Sequence, residues 1–89
     1  MFTEREVQEA TQPLCLRVSA EADPGALARV VSFFHTLNVV PRRVLAEFGT
    51  DETLRIRIDV AGVTERHLSL IAAKIGQIPS ISNAYWHRL

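Results

Sequence analysis

Apolar residues in this chain fall into two alternating runs and two helical stripes. From Leu14, the positions Leu14, Leu16, Val18 and Ala20 alternate with Cys15, Arg17 and Ser19, the period of a half-buried strand. The segment from Pro24 onward changes period. Leu27, Val30, Val31, Phe34 and Leu37 recur at helical spacing and make one apolar stripe. Asp23 is a suitable N-cap, Pro24 suits the first helical position, and Asn38 suits a left-handed terminator, so a helix is predicted over about 24–37. Val40, Val44, Ala46 and Phe48 mark a second strand, and Pro41 makes it begin irregularly or lie at a sheet edge. Gly49-Thr50-Asp51-Glu52 reads as the turn of an antiparallel hairpin into a third strand. There Leu54, Ile56, Ile58 and Val60 point inward, and Arg55, Arg57 and Asp59 outward. Thr64 caps a second helix with Glu65 in its first turn, and Leu68, Ile71, Ala72, Ile75 and Ile78 form its stripe. Gly76 and Pro79 end that helix, and residues 81–89 read as a closing strand.

The order β-α-β-β-α-β predicts an α+β, ferredoxin-like fold: a four-stranded antiparallel sheet with two helices on one face. Polar residues 1–12, with Glu4, Arg5, Glu6 and Glu9, are expected as an N-terminal arm outside the core, and residues 13–89 as the domain. In this fold the first and third strands are central neighbours. Arg17, Arg55 and Arg57 should therefore converge on the open sheet face, with Arg42 and Arg43 beside them.

Composition narrows the function. Eighty-nine residues make one small domain, whose thin stability margin makes a partner subunit valuable. Ten basic residues balance ten acidic ones, which gives no drive toward nucleic acid or anionic membrane. No apolar run approaches the length of a membrane span, and the N-terminus lacks the pattern of a signal peptide, so a cytoplasmic setting is expected. Cys15 is the lone cysteine, and no Cys/His cluster has metal-ligand spacing, so neither a metal nor another cofactor is expected. His35, His67 and His87 sit on three separate elements, and no serine has a nucleophile-elbow context, which argues against an enzyme.

Other occupants of this element order are disfavoured by what the first loop and third strand lack. A metallochaperone needs paired cysteines in the first loop, an acylphosphatase-like enzyme an arginine there, and an RNA-recognition domain stacking aromatics on its central strands. The run Leu16-Arg17-Val18 followed by Asp23-Pro24-Gly25-Ala26-Leu27-Ala28-Arg29-Val30 instead resembles the ACT domain. The likeness spans roughly residues 14–89. In length and layout it is most similar to the small regulatory subunits of acetolactate synthase and to free-standing ACT proteins.

The resemblance implies a non-catalytic regulatory module of amino-acid metabolism, a homodimer that modulates a catalytic subunit. It implies a small effector, an amino acid, at the dimer interface, held by Ala22, Asp23, Pro24, Gly25, Ala26 and Leu27 and by Asn38, Val39 and Val40. Two positions depart from the amino-acid-binding pattern. Ala22 and Val40 stand where polar side chains often meet the ligand, and each lost hydrogen bond to a charged group is worth about 1.5–3 kcal/mol. A ligand-free assembly module is the alternative, with Arg17, Arg55, Arg57 and the aromatic Trp86 as interface residues. RNA binding through the arginine face ranks lower, because net charge is zero and stacking aromatics are missing.

Overall fold

A computed structural model describes residues 12–89, so the arm expected over 1–12 lies almost wholly outside the described residues. The element order is β1 (Leu14–Glu21), α1 (Ala26–Thr36), β2 (Arg43–Phe48), β3 (Thr53–Val60), α2 (Glu65–Ile75) and β4 (Ile81–Arg88). The strands form one antiparallel sheet in the order β2-β3-β1-β4. This is the predicted ferredoxin-like arrangement.

The period-2 pattern decides the two faces. Leu14, Leu16, Val18 and Ala20 of β1 and Ile56, Ile58 and Val60 of β3 pack with Ala26, Val30 and Phe34 of α1. Leu68, Ile71, Ala72 and Ile75 of α2 complete that core. Trp86 is in register with Leu16 and so lies on the helix side, where its indole N–H donates to Ser69 Oγ of α2 at 2.7 Å. Its neighbour Tyr85 faces the other way, opposite Arg17. The aromatic on the open sheet face is therefore Tyr85, and Trp86 is committed to the helical layer.

Caps hold the helices in place, with one correction. Thr64 caps α2 as expected, its Oγ1 accepting from the His67 amide at 3.0 Å. Helix α1 begins at Ala26, two residues later than predicted, and Asp23 is not its cap. The Asp23 carboxylate accepts from the Gly25 amide at 3.0 Å and pairs with Arg29 at 2.8 Å. An aspartate bonding the amide two residues on closes an Asx-turn, so Pro24 occupies a turn and not the first helical position. At the other end Asn38 is left-handed, with φ 58°.

The second strand starts at Arg43, later than its apolar pattern suggests, and it is the sheet edge. All six of its residues are exposed. Val44, Ala46 and Phe48 share the helix-side face with Ile58, Ile56 and Leu54, yet the helical layer stops short of them. Val40 and Phe48 are 79% and 62% exposed.

Candidate functional site: the first loop, the bare edge and the open face

Two regions bring potential binding residues together, on opposite sides of the sheet. The first is a shallow cleft of about 350 Å³ on the helix side, lined by Ala22, Asp23, Pro24, Leu27, Phe48 and Leu54. Its walls are mostly apolar. The Asp23 carboxyl is held below the usual range, first by the Gly25 amide and then by Arg29. That amide is thus already occupied and is not free to meet a ligand carboxylate.

Gly25 itself has φ −85°, a conformation any residue adopts. A Cβ there would come no closer than 3.5 Å to another atom, an ordinary contact. Neither the turn nor the packing of the described residues requires glycine at this position.

The resemblance groups Ala22–Leu27 with Asn38, Val39 and Val40. The structure places these segments at opposite ends of α1, whose 11 residues span about 16 Å. One chain does not bring them together. The Phe48 end of β2 lies beside the 22–27 loop, while the Arg43 end lies toward Val40. An antiparallel second copy of β2 would set its own Val40 end beside this loop.

The second region is the open face, where the sheet register makes Arg17 opposite Arg57, Ser19 opposite Arg55 and Cys15 opposite Asp59. Across the other side of β3, Leu45 faces Arg57, Glu47 faces Arg55, and Arg43 faces Asp59. The convergence expected of Arg17, Arg55 and Arg57 is present, but two of the three are engaged. Arg57 Nε donates to Asp59 at 2.9 Å, and Arg55 donates to Asp51 at 2.8 Å. Arg57 holds the Asp59 carboxyl below its usual range, and Arg55 does the same for Asp51.

Arg17 differs from both. Its Nε donates to His87 Nε2 at 3.1 Å. An accepting Nε2 leaves the proton on Nδ1, which donates to the Arg88 carbonyl at 2.9 Å. That pairing joins residues seventy positions apart, and only the register of β4 on β1 reveals it. Cys15 is fully buried, and burial, with a smaller contribution from Asp59, pushes its thiol up. A raised thiol is a packing group and not a nucleophile. His35 and His67 lie on the helices, away from His87. Among the described residues no group of three or more His, Cys, Asp or Glu could hold a metal, and no helix is long and apolar enough to cross a membrane.

The described residues thus form a split βαβ sheet with a loop cleft beside an edge strand that none of them covers. A family model described as an ACT-like domain matches residues 7–88, and the chain belongs to that family. Such domains are regulatory, ligand-binding modules. The match begins six residues before Pro13, within the stretch expected as an arm.

Solved structures show the same fold. The C-terminal domain of the MgtC protein from Mycobacterium tuberculosis is 19% identical, with TM-score 0.71 over 91% of this chain and 90% of that one. The ACT domain from GTP pyrophosphokinase of Chlorobium tepidum is 9% identical, with TM-score 0.72 over 85% and 97%. A homoserine dehydrogenase from Thiobacillus denitrificans is 20% identical, with TM-score 0.73 over 91% of this chain but only 18% of that protein. No curated protein matches the chain by sequence.

Proposed function

We propose that this domain is a regulatory module that dimerises through β2 and takes a small effector, an amino acid, at the resulting interface. The observation that carries this reading is the β2 edge, which no described residue pairs or covers, and whose exposed apolar strip runs from Val40 through Val44 to Phe48 and into the loop cleft. Unpaired strand edges are normally blunted by charge, proline or cover. Here the helix-side face of the edge is apolar, and a second copy is the natural cover. An antiparallel two-fold pairing would close the cleft with the partner's segment 38–40, uniting the two halves of the expected site. Gly25, which the described fold does not need, leaves room for a backbone approach by something further. The module would act on a catalytic subunit. Acetolactate synthase is the specific enzyme that the sequence resemblance suggests.

Thermal denaturation in the presence of individual amino acids, the branched-chain ones first, tests the effector. A ligand at a hundred times its Kd adds about 2.7 kcal/mol, a shift on the order of ten degrees for a domain this size. Gly25→Val should abolish that shift while leaving the unliganded melting temperature nearly unchanged. A dimer that melts identically with every amino acid would overturn the effector reading. The absence of polar side chains at Ala22 and Val40 favours a second reading in that event, an assembly module that contacts an enzyme without a ligand. It predicts co-purification with a catalytic subunit whose activity the module changes in the absence of any effector.

A further inference from the structure

The open face centres on a square of four residues, with Arg57 opposite Arg17 and Arg55 opposite Ser19. Opposite residues of paired strands stand about 5 Å apart, and alternate residues of one strand about 7 Å apart. Three guanidinium groups and one hydroxyl therefore rise from one small area. Like charges in register weaken a sheet unless something compensates them. Two of the three are compensated from outside the square. Arg57 turns along β3 toward Asp59, and Arg55 turns the other way, toward Asp51 in the hairpin turn. Arg17 is not compensated. Its Nε donates to the neutral ring of His87, and among the described residues its two terminal nitrogens meet no acceptor. Ser82 bonds the Ser19 carbonyl, which leaves the Ser19 hydroxyl without a described partner.

Between the diverging Arg55 and Arg57 lies a depression of about 260 Å³. Val18 and Ile56 line it although their side chains enter the core, so its floor over the square is backbone. Its charged walls are the three arginines and one carboxylate, Glu47. Glu47 stands opposite Arg55 on β2, on the side away from β1. Two strands and two residues separate it from Arg17, about 12 Å, which exceeds a Debye length at physiological salt. Near Arg17 the guanidinium groups therefore set the sign of the field. The depression is smaller than the usual pocket for a whole drug-sized ligand. It suits one charged group whose bearer extends outside.

We propose that this depression is an anion site, distinct from the loop cleft, for the phosphate group of a small phosphorylated metabolite. The phosphate oxygens accept from the terminal nitrogens of Arg17 and from the Ser19 hydroxyl, while Arg55 and Arg57 add positive charge from either end. Arginine N–H groups match phosphate oxygens in pairs, and a dianion gains more than a carboxylate from three nearby cations. By accepting from Nε, His87 anchors one edge of the Arg17 guanidinium and leaves its terminal nitrogens to the ligand. This site needs no second chain.

Amide-resolved NMR titration of the full chain at low salt, with the arginine Nε–H resonances followed, tests the proposal. The probes are inorganic phosphate, glycerol phosphate and acetate, compared at equal ionic strength. Both phosphates should give saturable shifts centred on residues 17, 19, 55 and 57, and should bind more tightly than acetate. Arg17→Gln should weaken them roughly 10- to 100-fold, the loss of a charge-assisted contact. Arg17→Lys keeps the charge while losing the fork and should bind between wild type and Arg17→Gln, so the result stands even where Arg17→Gln folds poorly. Glu47→Gln removes a repulsion acting over about 12 Å and should tighten phosphate binding roughly two- to threefold. Acetate that binds as tightly as phosphate would reduce the site to a nonspecific anion contact and overturn the proposal. Weaker phosphate binding by Glu47→Gln, shifts confined to residues 22–27 and 48, or an absence of saturable shifts would overturn it too. An oligoribonucleotide that binds through the same residues where glycerol phosphate does not would overturn it in favour of an RNA surface.

Discussion

Replacing Phe48 by alanine should affect association far more than folding. In the isolated chain 62% of Phe48 is exposed, so its side chain contributes little to the monomer core. Full burial of a large apolar side chain is worth about 1.5–3 kcal/mol, so the exposed share still available for burial is worth about 1–2 kcal/mol per chain. A two-fold interface counts this twice, which makes Phe48→Ala weaken dimerisation by about 2–4 kcal/mol, roughly 30- to 1000-fold in Kd. A backbone variant tests the same edge independently. The Gly49 amide donates to the Thr53 carbonyl, so by antiparallel alternation residues 43, 45 and 47 bond toward β3 while 44, 46 and 48 present their groups outward. Ala46→Pro therefore removes an outward donor from each chain and leaves the pairing with β3 in place. Sedimentation equilibrium gives the association constant, and urea denaturation at low protein concentration gives the monomer stability. A monomeric wild type, or a dimer whose Kd neither variant changes, would refute pairing through β2.

Three further outcomes follow from the contacts. Thr64→Ala should cost about 1 kcal/mol in urea unfolding through loss of the α2 cap, with Thr64→Ser recovering most of it. The Asp59 carboxyl is held down by Arg57, so its contribution to stability is present above the ordinary carboxylate range and is lost as pH falls through its depressed folded value. Asp59→Asn should flatten part of the acid limb of a stability-against-pH curve, and an unchanged limb would exclude that contribution. Cys15, buried and with a raised thiol, should react with a thiol reagent only as fast as the domain opens. Fast labelling under native conditions would contradict its packing.

The period-2 pattern made β1 and β3 legible, because a buried face leaves one register open to Leu54, Ile56, Ile58 and Val60. Asn38 and Thr64 were legible for a similar reason: each has local chemistry that suits one backbone role. Asp23 was misread because an N-cap and an Asx-turn use the same carboxylate-to-amide bond, and only the start of the helix separates them. Consecutive Tyr85 and Trp86 had to face opposite ways, but which one entered the helix side depended on how β4 pairs with β1. The arginine face followed from topology. Its charge balance did not, since Asp51 lies in a turn and His87 in the last strand. The separation of residues 22–27 from 38–40 was legible as well, since the helix predicted over about 24–37 sets its two flanks about 20 Å apart; the resemblance that grouped them did not take that length into account.

That separation has a genetic consequence. A site assembled from the 22–27 loop of one chain and the 38–40 segment of another occurs twice in a dimer, each copy half-owned by each subunit. A lesion in the loop and a lesion at Val40 on different chains would then fall into the same one of the two sites. Mixing two inactive variants should restore one intact site per mixed dimer, and with it up to half the effector capacity of wild type. Two lesions in the same segment would spoil both sites and show no such complementation.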